Sequence, residues 1–472
     1  MSPRIFRSLA LAALIAPALG LAEPLETKDD GKSPKNANLT DAPGIALKRF
    51  AVAPGLRVDL WASEPLIENV VALSFDEKGR AFVVETHRRR TSVPDIRKHV
   101  SDWLVPDLAL RTTADRIAFL KKMNPPETQR KPDTEHPDFN GDGQFDWRDF
   151  TVESERIKLV EDRAGKGVAD SSSVFAEGFN KLETGVAAGV LARGKNVWFA
   201  CIPDIWRLEG ADQSAATSRE AILTGFGVHV AYSGHDMHGM KMGPDGKIYW
   251  SIADCGAHVT TKEGKVVDMP DAGAVYRANP DGTEMELYAW GMRNPQSLAF
   301  NDVGDLFTGD NNADQGDRAR WIHVVEGADY GWRMGWQFLP YLGAWNSELM
   351  WQLDAGSTNL SILPPVGHVG HGPAGIAYYP GTGLPESYRE HFFYADFPGG
   401  VRSFSIRPSG VSYTIDNPND VHLDNSPREM TDKLLWGLYP SDVQFGVDGG
   451  AYVLDLGLWL GKDRQGADIS GA

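Results

Sequence analysis

Two histidines and one aspartate flank a short hairpin pattern, and these residue types could carry out proton transfer. His235 and His238 precede the segment GPDGKIYWSIAD, which ends at Asp254. Because His235 and Asp254 stand at the two ends of one antiparallel hairpin, we expect them to meet at one mouth of the predicted fold. A carboxylate beside an imidazole fixes the tautomer of the ring and raises its basicity, as a general base requires. The open alternative is a hydrogen-bonded histidine with a structural role.

A second group of polar residues surrounds a proline. Arg293 and Asn294 precede Pro295. The proline favours extended backbone before it, so both side chains are expected at the entry to a strand. A guanidinium there could hold a carboxylate or stabilise a developing oxyanion. The stretch 310–317 that follows is either a second set of oxygen ligands or an Asx-rich surface turn. Its candidate binding residues are Asn311, Asn312, Ala313 and Asp317.

Residues 138–149 have the spacing of a calcium-binding loop. Oxygen-bearing residues alternate, and Gly143 stands at the sixth position, where such a loop turns sharply. Aspartate replaces the usual glutamate at the twelfth position, as in dockerin-like loops. The alternative is an acidic solvent-exposed loop. The predicted ligands are Asp138, Asn140, Asp142, the backbone carbonyl of Gln144, Asp146 and Asp149.

The elements that must hold these residues recur along the chain. An apolar residue, a glycine-containing turn and a short β-rich strand return in six copies, at 73–85, 191–201, 241–254, 298–310, 376–396 and 443–455. Each copy predicts a hairpin that cannot bury its apolar face alone, so the copies must pack on one another. The sequence therefore predicts an all-β, six-bladed β-propeller over 46–462, with a tail at 463–472. A β-sandwich and two separate β domains are the alternatives.

The longest interruption of this repeat, 88–157, lies between the first and second copies. It predicts a helix over 114–123 and contains the calcium-loop pattern. We therefore expect a helical insertion between the first two blades, held together by a structural Ca²⁺.

The first 22 residues predict a cleaved secretory signal peptide. Arg4 and Arg7 precede an apolar run that is too short to span a bilayer, and small residues end at Ala22. Residues 23–45 are polar and predict a flexible leader. We expect an exported protein, secreted or periplasmic, with no membrane span in the mature chain.

Composition limits the possible partners. Hydrophobic residues make up 42% and charged residues 24% of the 472 residues, as in ordinary globular proteins. The formal net charge of −17 argues against nucleic acid as a partner. Cys201 and Cys255 could form a disulfide in an exported protein, or remain as separate buried thiols.

Four segments carry a resemblance to a known family. They are GPDGKIYWSIAD, GMRNPQSLAF, the DQGD that ends at Asp317 and the GADYGW that ends at Trp332. Together they resemble the PQQ-dependent soluble glucose dehydrogenases and the sorbosone-dehydrogenase-like propellers, where PQQ is pyrroloquinoline quinone. The resemblance runs from about Phe50 to Asp455 and is densest over 234–332. GHDMHG and TGDNNADQGD are most similar to the exported branch found in planctomycete-type bacteria.

This resemblance implies an enzyme that oxidises a hydroxyl of a sugar or polyol. PQQ would lie over the propeller mouth with Ca²⁺ polarising it, and a separate acceptor, a cytochrome or a quinone, would take the electrons. His235 matches the base that receives the hydroxyl proton while hydride passes to PQQ, and Asp254 matches the carboxylate that orients it. His238 has no counterpart in the soluble enzymes of the family and would support or replace His235.

The resemblance also implies a cofactor site. Arg293 and Asn294 match the pair at the reactive oxygens of the quinone. The backbone carbonyls of Asn312 and Ala313 fall where the family binds the calcium beside the quinone. Asp317 matches a polar residue of the same pocket.

Two departures from the family pattern weaken the prediction of PQQ binding. Pro398 stands where the family has a cofactor-binding lysine, and no arginine that clamps the cofactor carboxylates is evident near Arg428 or Lys433. Buried anions need paired charge. Two other functions therefore remain open: a calcium-dependent, lactonase-like hydrolase that uses 310–317, and a non-catalytic carbohydrate- or partner-binding propeller that uses the aromatic residues between Trp332 and Trp351.

Overall fold

The computed structural model describes most of the predicted domain. The described residues are 11–17, 47–48, 50–89, 91–128, 130–132, 138–230, 232–313, 317–337, 362–370, 372–397, 399–416, 433–456, 460–462 and 468–470. Among them, the α-helices are α1 (Leu104–Leu108), α2 (Thr113–Met123) and α3 (Met334–Gln337). Strands form nearly all of the remaining regular structure.

The strands are arranged mainly as antiparallel sheets in which successive strands are neighbours. In chain order, the first eleven are β1 (Leu11–Pro17), β2 (Ala51–Val52), β3 (Leu56–Ser63), β4 (Val70–Phe75), β5 (Ala81–Glu85), β6 (Glu155–Glu161), β7 (Ser171–Phe179), β8 (Ala187–Arg193), β9 (Asn196–Cys201), β10 (Asp204–Glu209) and β11 (Ser218–Thr224). The next ten are β12 (Met237–Met242), β13 (Ile248–Ile252), β14 (Ala257–Thr260), β15 (Val266–Met269), β16 (Gly273–Ala278), β17 (Glu286–Met292), β18 (Ala299–Phe300), β19 (Leu306–Asp310), β20 (Arg320–Val324) and β21 (Gly367–His368). The last nine are β22 (Pro373–Tyr378), β23 (His391–Asp396), β24 (Gly400–Ser409), β25 (Ser412–Ile415), β26 (Lys433–Trp436), β27 (Pro440–Phe445), β28 (Ala451–Asp455), β29 (Leu460–Lys462) and β30 (Asp468–Ser470).

Five larger sheets contain most of these strands. Two of them are four-stranded meanders, in the orders β4-β5-β6-β7 and β18-β19-β20-β21. A third has eight strands, because the meanders β8–β11 and β12-β13-β16-β17 join through a short parallel pairing of β8 with β12. The other two have the orders β2-β26-β24-β23-β22 and β27-β28-β1-β3, with β25 attached to β24.

All six predicted repeat copies form antiparallel hairpins. The paired strands are β4–β5, β8–β9, β12–β13, β18–β19, β22–β23 and β27–β28. The turn glycines have positive φ, for example 78° at Gly246 and 81° at Gly449, which side chains with a Cβ rarely adopt. This part of the sequence prediction is confirmed, because the glycine-containing turn that identifies each copy in the sequence connects the two strands of each hairpin.

The first strand of each hairpin packs against the first strand of its neighbour. Small residues make this close approach possible: a Cβ on Gly239 of β12 would lie 2.5 Å from the Cα of Ser297. A Cβ on Gly375 of β22 would lie 2.4 Å from the Cα of Asp442 on β27. The backbone N–H of Leu73 on β4 donates to Asp442 Oδ2 at 3.0 Å, which joins β4 to β27. The result is an all-β fold of curled sheets in a propeller-like arrangement.

The long segment between β5 and β6 packs beside the segment that precedes β12. Helix α2 begins at a capping box formed by Thr112 and Asp115, and it covers the range in which the sequence predicts a helix. The buried guanidinium of Arg116 on α2 donates to the carbonyl of Glu183 at 2.6 Å. Asp107 of α1 accepts the backbone N–H of Val230 at 2.8 Å. These bonds fix the segment next to residues 232–235.

The N-terminal strand lies inside the range predicted as a signal peptide. Strand β1 lies between β28 and β3 and is antiparallel to both. None of the helices in the described part of the chain is long and apolar enough to cross a membrane. Cys201 and Cys255 are both buried and free, so the disulfide that the sequence permits is not formed.

Candidate active site

The main pocket lies among the inner strands. Its volume is about 750 Å³, within the usual range for small-molecule sites. Residues of β4, β8, β12, β22 and β27 form its walls, and the segment 232–235 lies at one end together with Arg293 and Asn294. In the sequence, His235 belongs to one motif and Arg293 and Asn294 belong to another, and the fold brings them to one cavity.

His235 and Asp254 are in direct contact at this pocket. His235 Nδ1 lies 2.9 Å from Asp254 Oδ1, and Trp332 Nε1 donates to Asp254 Oδ2 at 2.9 Å. The carboxylate is completely buried. The bond to Nδ1 favours the tautomer with hydrogen on Nδ1, so Nε2 is the nitrogen that can accept a proton.

Asp254 differs from the carboxylates that end the second strand of other hairpins. In four hairpins, that last residue is Glu85, Asp310, Asp396 or Asp455, and its side chain accepts a backbone N–H from the segment before the inner strand. The corresponding residue of β13 is Ile252. Asp254 follows two residues later and binds two side chains instead. The third hairpin therefore uses its carboxylate to orient an imidazole.

Burial and neighbouring charges favour a neutral His235 beside an ionised Asp254. Burial, followed by the charge of Arg293, lowers the pKa of His235 below its ordinary value. Burial alone would raise the pKa of Asp254, but His235, Arg293 and Trp332 stabilise the carboxylate more strongly, and its pKa is lowered. A neutral imidazole next to a fixed carboxylate is the resting state that a general base needs.

His238 is held differently from His235. Its Nε2 lies 3.2 Å from the backbone nitrogen of Asp236 and accepts that N–H. Burial lowers the pKa of His238 to about 3. Because its acceptor nitrogen is already used, the geometry favours His235 as the base and gives His238 a positioning role.

Arg293 and Asn294 are anchored by one carboxylate, Asp310. Both of their backbone N–H groups donate to Asp310 Oδ1, at 2.9 and 2.8 Å. The side chain of Asn294 donates to the carbonyl of Gly234 at 3.3 Å. The Arg293 guanidinium lies 5.4 Å from the ring centre of Tyr232. Both side chains line the same pocket as His235.

The segment 311–317 offers a poor calcium site in its described part. The carbonyl of Asn312 accepts the Arg293 guanidinium, and Asp317 Oδ2 accepts the N–H of Ala313 at 2.7 Å. Asp310 binds Arg320 through Oδ2. Asn311 and Asn312 line the pocket, whereas Ala313 and Asp317 are buried behind it. Residues 314–316, Pro398 and Arg428 lie outside the described residues.

The 138–149 loop is curled, but its carboxylates bind other groups. Asp138 accepts the N–H groups of Gly141 and Gly143, and Asp149 accepts backbone N–H groups from within the loop. Arg148 bridges the fifth and ninth positions, because its Nη2 contacts both Asp142 and Asp146. Asn140 and Gln144 belong to the same network: the Asn140 N–H donates to Asp149 Oδ1 at 3.1 Å, Asn140 Oδ1 accepts the N–H of Asp142 at 2.8 Å, and the Gln144 N–H donates to Asp142 Oδ1 at 3.0 Å. The loop lies apart from the pocket.

Sequence reasoning missed three residues at the pocket entrance. Arg89 and Arg97 line the pocket although they belong to the segment between β5 and β6, and Tyr232 lies between Arg97 and Arg293. No motif marks them, because their proximity depends on how that segment docks. The sequence signals only Arg89, which belongs to a run of three arginines at 88–90 that follows a repeat copy.

A cluster of acidic groups outside the pocket is better explained as an ion-pair network. Glu68, Glu85 and His87 have ligand atoms close enough to hold a metal. However, Lys158 Nζ lies 3.2 Å from Glu85 Oε1, and Arg156 lies 3.7 Å from Glu68. Two cations already balance the two carboxylates, which disfavours a metal ion.

Comparison with known proteins places the chain in a family. The model described as Domain of unknown function (DUF7133) matches residues 42–457. The chain belongs to this family. It is 30% identical over 124 residues to Quinoprotein glucose dehydrogenase B of Acinetobacter calcoaceticus, which covers 21% of this chain and 26% of that protein. It is 26% identical over 200 residues to Aldose sugar dehydrogenase YliI of Escherichia coli, and the match covers 41% of this chain and 48% of that protein.

The chain spans a quarter to a half of the length of these curated relatives. Both are sugar dehydrogenases and one is a quinoprotein, so the predicted resemblance to this group is confirmed. Among solved structures, the chain is similar to the PQQ domain of pyranose dehydrogenase from Coprinopsis cinerea, with a TM-score of 0.47 and 10% identity over 86% of this chain and 97% of that one. It is also similar to PQQ-bound aldose sugar dehydrogenase from Streptomyces coelicolor, with a TM-score of 0.36 and 14% identity. This match covers 64% of this chain and 90% of that one.

Proposed function

We propose that this protein is an oxidoreductase that uses PQQ to oxidise a hydroxyl group of a sugar or polyol and passes the electrons to a separate acceptor, a cytochrome or a quinone. The observation that carries the proposal is the buried His235–Asp254 pair at the end of a pocket of ligand size, next to Arg293. The similarity to curated sugar dehydrogenases supports the substrate class.

The residues at the pocket suit a planar, carboxylate-bearing quinone. Arg293 offers a guanidinium that can bind carboxylate or quinone oxygens, and Asn294 offers an amide beside it. The rings of Tyr232 and Trp332 lie within 6 Å of the Arg293 guanidinium. When bound, PQQ supplies the two-electron acceptor for the hydride of the substrate carbon.

His235 performs the proton transfer in this proposal. Its Nε2 accepts the proton of the substrate hydroxyl, and Asp254 holds the ring and stabilises the imidazolium that forms. Arg293 stabilises negative charge that develops on oxygen in the pocket. Trp332 keeps the Asp254 carboxylate in place through its indole N–H. His238 supports the turn before β12 rather than the proton transfer.

The proposal includes two candidate calcium sites, and the described geometry supports one of them better than the other. The 138–149 loop has the ligand types and spacing for a structural Ca²⁺, and binding requires Asp142 and Asp146 to exchange Arg148 for the ion. At Asn312 the carbonyl already accepts the Arg293 guanidinium, so a calcium ion there needs a rearrangement. We therefore favour the loop as the calcium site.

Two alternative functions receive less support from the pocket. A lactonase-like hydrolase needs the oxygens of 310–317 around calcium, but both Asp310 oxygens are already hydrogen-bonded. A carbohydrate-binding propeller needs an exposed aromatic platform, but Trp332 is completely buried and binds Asp254. Of the remaining predicted aromatic residues, Trp336 lies in α3, and Phe338, Tyr341, Trp345 and Trp351 lie outside the described residues.

The finer architecture and the export of the chain are also proposals. Six hairpins with neighbouring inner strands support a six-bladed propeller with the segment 88–157 inserted between the first two blades. The apolar run near the N-terminus supports a cleaved signal peptide and a secreted or periplasmic protein.

Reconstitution tests the proposed function directly. Purified protein is incubated with PQQ and Ca²⁺, and cofactor absorbance and dye reduction are followed with a panel of sugars and polyols. We expect a bound quinone spectrum and sugar-dependent dye reduction. If the wild-type protein binds no PQQ, the quinoprotein assignment is wrong, and the absence of a lysine at position 398 explains why.

A further inference from the structure

The pocket entrance carries a cluster of three arginines, of which the proposed reaction uses only Arg293. Three guanidinium groups converge on the two residues Tyr232 and Ser233. The Arg97 and Arg293 guanidinium carbons lie 4.9 and 5.4 Å from the ring centre of Tyr232, and Arg89 Nε donates to Ser233 Oγ at 3.1 Å. Tyr232 itself packs edge-to-face on His235, with ring centres 5.0 Å apart. The cluster is therefore next to the candidate base.

The orientation of the Arg97 side chain is fixed by hydrogen bonds to Asp95. Asp95 caps the 3₁₀ helix Ile96–Lys98 and binds the Nε and Nη2 edge of the Arg97 side chain. The same carboxylate accepts the backbone N–H of Ser233 at 3.2 Å, which ties the helix to the segment before β12. Arg97 remains 52% exposed, so a ligand can reach it. A guanidinium held this way loses less conformational entropy on binding than a mobile one.

The charge of the pocket contrasts with the charge of the chain. The protein has a formal net charge of −17. Among the pocket-lining residues, however, Arg89, Arg97, Lys241 and Arg293 are cationic, and Asp442 is the one carboxylate. Lys241 and Asp442 lie together on the inner strands, away from the entrance, where Lys241 donates to Gln444 at 2.6 Å. Asp95 offsets the charge of Arg97, but the three guanidinium groups still leave an excess of positive charge at the entrance of an acidic protein, which favours anionic ligands.

We propose that Arg89 and Arg97, together with Arg293, form a carboxylate-binding wall at the pocket entrance. The inference deepens the proposed function, because the wall supplies the cations that the chain lacks at Pro398. The carboxylates come from one of two sources, the bound PQQ or an acidic sugar substrate such as a uronate. In both cases the segment between β5 and β6 provides two of the three guanidinium groups, those of Arg89 and Arg97.

Binding measurements on the unloaded protein test this wall without using turnover. PQQ, glucuronate and glucose are titrated separately by calorimetry into the wild-type protein and the variants Arg97→Gln and Arg89→Gln. We expect each variant to raise the Kd of the carboxylate ligand about tenfold, which corresponds to about 1.4 kcal/mol, and the effect to shrink as salt rises. Arg97→Lys should recover part of the loss, since it restores the charge without the planar fork.

Arg57→Gln is the matched control. Arg57 is also about half exposed and also pairs with an aspartate two residues away, but it lies on β3, outside the pocket lining. Its substitution should leave every Kd unchanged. Melting temperatures of all variants should match the wild type, because none of the changed side chains is buried.

The outcomes separate the wall from the quinone. PQQ binding that weakens in both pocket variants supports the wall and assigns its carboxylates to the cofactor. Glucuronate binding that weakens in the variants, with no PQQ binding, supports the wall but contradicts the quinoprotein assignment. The wall is refuted if PQQ or glucuronate binds the wild type and both variants equally. It is also refuted if the wild type binds neither, or if Arg57→Gln has the same effect as Arg97→Gln.

Discussion

Replacing His235 or its partner should separate proton transfer from the other steps of the reaction. His235→Ala removes the only imidazole whose Nδ1 is held by the buried Asp254, and no described neighbour offers a second oriented base. Loss of a positioned base costs about 10²–10⁴ in rate. At about 1.4 kcal/mol per factor of ten, this is about 3–5 kcal/mol of activation free energy.

Asp254→Asn should reduce the rate to a similar degree for a different reason. Asp254 accepts hydrogen bonds on both oxygens, from His235 Nδ1 and from Trp332 Nε1. An asparagine satisfies both neighbours only if its oxygen faces Trp332 and its NH₂ group faces His235. The imidazole must then carry its hydrogen on Nε2, and that nitrogen can no longer accept a proton.

The pH profile gives a second readout of the same pair. The base must be neutral, so kcat/KM should fall on the acid side through the pKa of His235, which lies below its ordinary value of about 6.5. Removing the negative charge of Asp254 destabilises the imidazolium further. The acid limb of Asp254→Asn should therefore move to lower pH although the rate is smaller.

The assay combines dye-coupled turnover from pH 4.5 to 8.5 with PQQ binding measured by absorbance. Wild type, His235→Ala, Asp254→Asn and His238→Ala are compared, and PQQ binding should stay nearly unchanged in the first two variants. The reasoning is refuted if His235→Ala turns over normally, or if the acid limb of Asp254→Asn moves to higher pH. If His238→Ala is damaging and His235→Ala is harmless, the base is assigned to the wrong histidine.

Three further predictions concern stability, calcium and the N-terminus. Burial raises the pKa of Asp236 to about 7, well above its value in the unfolded chain, so the folded state favours the protonated carboxyl group. The contribution of Asp236 to the free energy of unfolding is therefore greatest below about pH 4 and is lost as pH rises through 7. Asp236→Asn should therefore lose less melting temperature than wild type between about pH 4.5 and 7.5, and an equal loss in both would contradict the burial argument. Calorimetry should show one fewer Ca²⁺ site in Asp138→Ala and Asp142→Ala, whereas an unchanged stoichiometry would exclude the 138–149 loop. Mass spectrometry of exported protein should give an N-terminus near Glu23; an intact Met1 would instead mean that Leu11–Pro17 stays in its sheet between β28 and β3.

The sequence predicts local structure well where one short pattern determines it. The six hairpins follow from turn glycines between β-rich strands, and helix α2 follows from its helix-forming residues and capping box. The pairing of His235 with Asp254 could also be anticipated, because both residues flank the same hairpin. Such features depend on contacts between residues close in the chain, which periodicity and turn chemistry report directly.

Other features depend on contacts between distant segments and could not be anticipated. The calcium-loop spacing gave no hint that Arg148 bridges Asp142 and Asp146. The GADYGW motif gave no hint that Trp332 donates a hydrogen bond to the Asp254 carboxylate across 78 positions of the chain. Nor could the cysteine positions decide between a disulfide and two buried thiols. Each outcome depends on side-chain directions that are set only when the sheets pack together.

The sequence by itself determined which candidate groups for proton transfer and anion binding flank each hairpin, because residue types and their spacing are local properties. The tertiary structure decided which of those residues share a pocket and what else faces it. Arg97 lies 138 positions before His235 and carries no motif, yet docking of the segment between β5 and β6 places its guanidinium 4.9 Å from the ring of Tyr232, beside that histidine. Long-range packing sets this arrangement, since a guanidinium acts on a ligand through its position in space rather than its position in the chain.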